Sequence, residues 1–173
     1  YIQKSMNTLG QLASQLSTSP EQVGDRIAAL QSELTAAKKQ TAVLQRELAK
    51  KSFDVLVSSR LEQVNGAQAL IARLDDVPPD MLREMSDWFR NAVKSGVMVV
   101  GSVIDGKPQL VVAVTDDLSK QGYHAGNLIK GIAAVVGGGG GGRPTMAQAG
   151  GKDAGKLNEA LDTARQLIAA AGG

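Results

Sequence analysis

The sequence predicts an α+β protein: an N-terminal helical, coiled-coil-like arm followed by a small α/β globular domain with a mixed sheet and a glycine-rich loop. Three observations predict it. Apolar residues recur at a 3.5-residue spacing from Val23 to Leu48, which is the seam of a coiled coil or helical hairpin. Two β-branched segments, 97–104 and 110–114, flank Asp105-Gly106, a hairpin signal. Six consecutive glycines, Gly137 to Gly142, lie between two amphipathic helical patterns and inside the domain.

The arm, assigned to residues 1–65, opens with apolar positions at Ile2, Met6, Leu9, Ala13 and Leu16. Tyr1 already falls inside this pattern, so the chain reads as a piece of something longer. Ser19-Pro20-Glu21-Gln22 punctuates it: Ser19 can cap, Pro20 suits a first helical turn and Gln22 sits at the capping-box position. The second series runs Val23, Ile27, Leu30, Leu34, Ala37, Thr41, Leu44 and Leu48, and a continuous helix from Pro20 to Lys50 would be roughly 45 Å long. A helical rhythm from Phe53 to Val64 shifts phase at Lys51-Ser52, which predicts a bend, and Asn65-Gly66 ends the arm. The seam needs a partner, either within the protein (the arm's own first helix or the rest of the parent chain) or a second copy, with the intramolecular option preferred. Lys39, Arg46 and Lys50 share a face that is either a basic contact surface or an ordinary solvated one.

The globular domain is assigned to residues 66–173. Residues 67–74 are expected as a short buried strand. Pro78-Pro79-Asp80 starts a helix whose inward stripe is Leu82, Met85, Phe89 and Val93, with Gly96 as its stop. The hairpin follows, then a loop over 116–122, then a helix with Leu128, Ile129, Ile132, Ala133 and Val136 inward. Asp153 caps a last helix with the stripe Leu157, Ala160, Leu161, Ala164, Leu167 and Ile168. A sheet of three or four strands with these helices makes a sufficient core.

Composition narrows the chemistry. With no cysteine and one histidine, His124, there is no disulfide framework, and the only metal ligands left beside that histidine are carboxylates. Aromatic residues make up only 3% and the net charge is +2, which permits an anionic partner but disfavours aromatic base-stacking platforms. No apolar run is long enough for a membrane span. The glycine run satisfies neither the dinucleotide fingerprint, for want of an entering strand, nor the phosphate loop, for want of Gly-Lys-Ser/Thr. A flexible linker is the alternative, set against the placement of the run inside the domain and the Arg143-Pro144 that ends it. Consecutive glycines let a phosphate or sugar reach backbone amides, with a positive-φ backbone expected at Gly141. Arg143 adds a fork of charged donors beside them.

Residues Gly139-Gly140-Gly141-Gly142-Arg143-Pro144, followed by Met146-Ala147-Gln148-Ala149-Gly150-Gly151, closely resemble the C-terminal domain of the alanyl-tRNA synthetases. Asn65-Gly66, Gly101-Ser102 and His124 to Leu128 fit the same pattern, and the resemblance runs from Phe53 to Leu161. It extends to the substrate-binding domain of DHH-family phosphodiesterases and RecJ-type exonucleases, whose Gly-Gly-Gly-His signature is replaced here by Arg143-Pro144.

The resemblance implies a cytoplasmic accessory domain. It binds the outer corner of tRNA, where the D- and T-loops meet, helps one tRNA serve upstream aminoacylation and editing sites, and self-associates through its helical part. It further implies no catalytic residue and no cofactor in this chain, while the parent ligase uses ATP, Mg and an editing-domain zinc. The RNA-contacting residues expected are Gly139, Gly140, Gly141, Gly142, Arg143, Gln148, Lys130, Lys152 and His124, with Lys39, Arg46 and Lys50 as a basic face of the arm. Two other readings stay open: a DHH-type substrate-binding domain, or a structural dimerisation module.

Overall fold

The computed structural model describes residues 2–172, with side chains placed from residue 4. Tyr1 and the side chain of Ile2, where the first apolar series begins, lie outside the described residues. By its internal contacts the chain divides into two units, Tyr1–Ala49 and Lys50–Gly173.

The first unit holds α1 (Ile2–Gln15), a 3-10 turn (Pro20–Gln22) and most of α2 (Val23–Arg60). Pro20 occupies the first turn as expected, but Ser19 makes no side-chain cap; Thr18 Oγ1 donates to Gln22 Oε1 at 3.4 Å instead. Ala13 and Val23 are buried, whereas Ile27, Leu34, Leu44 and Leu48 are 42–67% exposed. Packing on the chain's own first helix therefore does not cover the seam. The backbone stays helical through Lys51-Ser52. The phase shift there marks a change of partner: Phe53, 1% exposed, begins the face that packs into the globular core.

The second unit is a six-stranded mixed sheet in the order β1-β2-β3-β4-β6-β5. The strands are β1 (Leu61–Val64), β2 (Ala67–Asp75), β3 (Gly96–Ile104), β4 (Lys107–Val114), β5 (Gly139–Gly142) and β6 (Met146–Gly150). The helices are α3 (Pro79–Ala92), α4 (Asp116–Lys120), α5 (Ala125–Val135) and α6 (Leu157–Ala171). β2 and β3 are parallel with α3 as their crossover, and the other pairs are antiparallel, so the expected mixed sheet is present with more strands. Asn65 (φ 47°) with Gly66 (φ 87°), and Asp105 (φ 50°) with Gly106 (φ 73°), form the two tight hairpin turns, the backbone that two-residue loops demand.

Alternation along the strands builds two cores. Val97, Val99, Leu110, Val112, Ala147 and Ala149 face α5 and α6, whose inward stripes are the predicted ones. Leu70, Ala72, Met98, Val100, Val111 and Ala113 face α3 and the end of α2. Gly101 lets Leu157 close on the sheet, since a Cβ there would sit 2.7 Å from Leu157 Cδ1. Ser102 Oγ accepts from Val77 N at 2.9 Å, and Asp153 caps the turn before α6 through Gly155 N at 3.0 Å.

Four local expectations need correction. Leu61–Val64 is a strand, because Asn65-Gly66 folds it back onto β2. Gly96 does not end α3: Val93 is already extended, and Gly96 opens β3 under Phe89. Residues 116–120 form a short helix. The glycine run is not a loop; its last four members are the sheet's edge strand.

Candidate functional site

The edge strand is positioned from both ends. Gly137 N donates to Ala134 O at 3.1 Å and Gly138 N to Ala133 O at 2.9 Å, with Gly137 at φ 63°. These two bonds are the Schellman closure of α5, so positive φ is needed at Gly137 and not at Gly141. At the other end Arg143 N donates to Met146 O at 2.8 Å, closing the hairpin into β6, and Ala125 N donates to Pro144 O at 2.8 Å, tying that turn to the start of α5.

Successive glycines of β5 do different things. A Cβ on Gly138 would lie 1.9 Å from Gly150 O, on Gly140 2.3 Å from Ala149 Cβ, and on Gly142 2.4 Å from Met146 O. No side chain fits at these three positions without moving β6. A Cβ on Gly139 or Gly141 meets nothing within 4 Å. The register pairs Gly139 with Gly150 and Gly141 with Gln148. Given the Arg143–Met146 bond, antiparallel alternation makes these the hydrogen-bonded pairs and turns the amides of Gly140 and Gly142 away from β6.

The predicted residues separate into groups. At the turn end, His124 is the residue before α5 and makes no capping bond. Its ring and Gly142 O both crowd Gly126, at 3.1 and 3.0 Å from a Cβ built there, and its Nδ1 is buried without a hydrogen-bond partner. Arg143 is exposed beside it, and its guanidinium makes no ion pair or hydrogen bond among the described residues. Gln148 is exposed on the opposite sheet face from Ala147 and Ala149, and its Oε1 accepts from Arg83 Nη2 at 3.1 Å. Arg83 carried no sequence signal, because a surface arginine of α3 is common and only the fold lays it across β6. Lys152 lies past β6, at the opposite end from Arg143, with its amide on Val136 O. Lys130 is exposed on α5.

The arm residues belong elsewhere. Lys39 and Arg46 are exposed on α2 in the first unit. Lys50 belongs to the second unit, where it pairs with Asp54 and stands 5.6 Å over the Trp88 ring; it is engaged in the α2–α3 packing and does not extend an open basic face. Among the described residues no group of three His, Asp or Glu stands close enough to hold a metal, and no helix is long and apolar enough to cross a membrane.

Several known proteins resemble this chain. The alanine–tRNA ligase of Acetivibrio thermocellus is 44% identical over 92% of this chain, covering 18% of the ligase. That of Chloroflexus aurantiacus is 39% identical over the whole chain and 19% of the ligase. The chain thus spans about a fifth of the length of the curated relatives it matches. Among solved structures, the C-Ala domain of Aquifex aeolicus alanyl-tRNA synthetase is 29% identical with a TM-score of 0.60, over 63% of this chain and 97% of that one. RecJ of Thermus thermophilus shares the fold alone, at 14% identity and a TM-score of 0.53, over 94% of this chain and 28% of RecJ. The DHHA1 domain matches residues 66–170, and the chain belongs to that family, with its similarity to the C-terminal part of alanine–tRNA ligases running the length of the arm as well.

Proposed function

We propose that this chain is the tRNA-contacting C-terminal piece of an alanine–tRNA ligase and that it performs no catalysis itself. One observation carries the reading. Arg143, exposed and without a protein partner among the described residues, stands at the end of an edge strand that has no side chains. A strand of glycines lets a sugar-phosphate backbone approach to van der Waals distance, the outward amides of Gly140 and Gly142 donate, and the guanidinium supplies a bidentate charge. Lys130, Lys152 and His124 add donors around the strand. The RNA feature is the outer corner of tRNA, read by shape and backbone, and the cytoplasmic ligase supplies ATP, Mg and zinc chemistry from domains absent here. The Arg143-Pro144 that replaces a histidine after the glycines weighs against a DHH-type substrate-binding role.

Fluorescence anisotropy with several labelled tRNAs and a single-stranded DNA of equal length tests this. The tRNAs should bind within a few-fold of one another and above the DNA. A preference of 100-fold or more for alanine tRNA, or alanine-dependent pyrophosphate exchange by the purified chain, would contradict it. The exposed Ile27, Leu34, Leu44 and Leu48 support self-association through the arm as part of the same role. Sedimentation should show a dimer that Leu34→Glu with Leu48→Glu converts to monomer.

A further inference from the structure

Gly139 and Gly141 share one face of the sheet with Gly150 and Gln148 of β6 and with Gln109 and Val111 of β4, stacked in two rows by the register: Gly139, Gly150, Gln109 and Gly141, Gln148, Val111. α3 covers this face over Val111, and beyond its first turn lies a cleft of about 230 Å³ edged by Pro79, Leu82 and Arg83. At Gly139 and Gly150 its floor is bare peptide. The Gln109 amide lies 3.7 Å from where a Cβ on Gly150 would stand and makes no hydrogen bond among the described residues. Arg83 spans the cleft to Gln148 at 3.1 Å and stands 3.7 Å from Asp80, which leaves the donor end of the Gln148 amide unused.

Resting on the RNA-binding reading above, we propose that this shelf takes one unstacked nucleobase of the bound RNA, its face on the Gly139 and Gly150 peptides and its edge toward Gln109, Gln148 and Arg83. A phosphate site calls for cations and amide N–H donors alone. Here two of the three side chains are neutral amides that both donate and accept, the complement of a base edge. The space is smaller than the roughly 300 Å³ at which drug-sized pockets begin, so it suits one ring system and not a length of strand. RNA binders stack splayed-out bases on aromatic rings or guanidinium planes. Here Phe53, Phe89 and Tyr123 are buried and Trp88 packs on Phe53, so at the cleft the flat surfaces on offer are peptide planes and the Arg83 guanidinium. A substituent at Gly139 would fit the fold and fill the shelf. No packing requirement explains glycine there.

Side-chain amide signals of Gln109 and Gln148 in the isotopically labelled whole chain give the test. Guanosine 5′-monophosphate should move both, and ribose 5-phosphate should move neither. Equal responses to the two ligands, or no response to millimolar guanosine 5′-monophosphate, overturn the base assignment. In parallel, Gly139→Val should melt with the wild type and bind tRNA about 10-fold more weakly, the size of one lost base contact, and Gln109→Ala should weaken binding in the same direction. If Arg143→Ala weakens tRNA binding while Gly139→Val and Gln109→Ala bind as wild type, the shelf is overturned and the RNA reading stands. If the wild-type chain has no tRNA affinity while the nucleotide still moves the glutamines, RNA is overturned as the source of the base.

Discussion

The sheet ends in two edge strands of four residues each, and they are treated in opposite ways. β1 is closed by side chains: Val64 enters the core under α5 and α6 and Leu61 packs against the other. Glu62 accepts two bonds from Arg165 of α6, and Asn65 Nδ2 caps Ala169 O at 2.8 Å. Such devices blunt an edge. β5 has none, because it has no side chains. Glycine in a strand costs roughly 0.5–1 kcal/mol relative to alanine, and at Gly140 and Gly142 close approach to β6 explains it. At Gly139 and Gly141 an alanine would fit, so the fold carries a cost there that packing does not require. The lesson is that β1 is built to be stable and β5 is built to be reached.

The sharpest way to break this contrast is within β5 itself. Gly140→Ala must move Ala149 or the Gln148 carbonyl, 2.3 and 2.5 Å from the new atom, and overpacking of this kind should cost about 3 kcal/mol. Chemical denaturation reads it directly. A Gly140→Ala chain as stable as wild type would mean that the strand drifts freely and is not held by β6.

Next in size is Arg143→Ala. A charge-assisted hydrogen bond contributes about 1.5–3 kcal/mol, so tRNA affinity should fall roughly 10- to 100-fold at an unchanged melting temperature. If about four phosphates are neutralised, log K should fall with log salt at a slope near −3 to −4, and the variant should flatten that slope by about 0.9. Lower melting temperature with unaltered affinity of the folded chain would make Arg143 structural and remove the functional half of the comparison.

Gly139→Ala is the counterpart of Gly140→Ala. With nothing within 4 Å of the new Cβ, it should leave stability unchanged or raise it by about 0.5 kcal/mol. A loss of stability at Gly139 as large as at Gly140 would erase the distinction between the two faces. A comparably small effect belongs to β1: Arg165→Ala removes its ion pair with Glu62, whose partners are 46% and 42% exposed, along with the weaker one to Asp162. It should cost about 0.5 kcal/mol after solvent screening and leave tRNA affinity untouched.

Local chemistry made much of this protein legible without coordinates. Asn65-Gly66 and Asp105-Gly106 announce their turns because few other pairs tolerate two left-handed residues. The stripes of α3, α5 and α6 follow from 3.6-residue periodicity, and the run ending in Arg143-Pro144 marks the glycine segment as special. Other features depend on residues far apart in the chain. Leu61–Val64 has a helical rhythm and becomes a strand only because β2 returns beside it. Gly139–Gly142 has no strand propensity and becomes a strand because α5 delivers it alongside β6. The same dependence hides Arg83 and Gln109, which gain meaning only when α3 and β4 bring them to Gln148 and Gly150, and it withdraws Lys50 into contact with Trp88. Composition fixed that a backbone surface without Cβ atoms would exist. Tertiary pairing decided which of its glycines are filled against the sheet and which are left open, because that depends on which neighbour lies above each one.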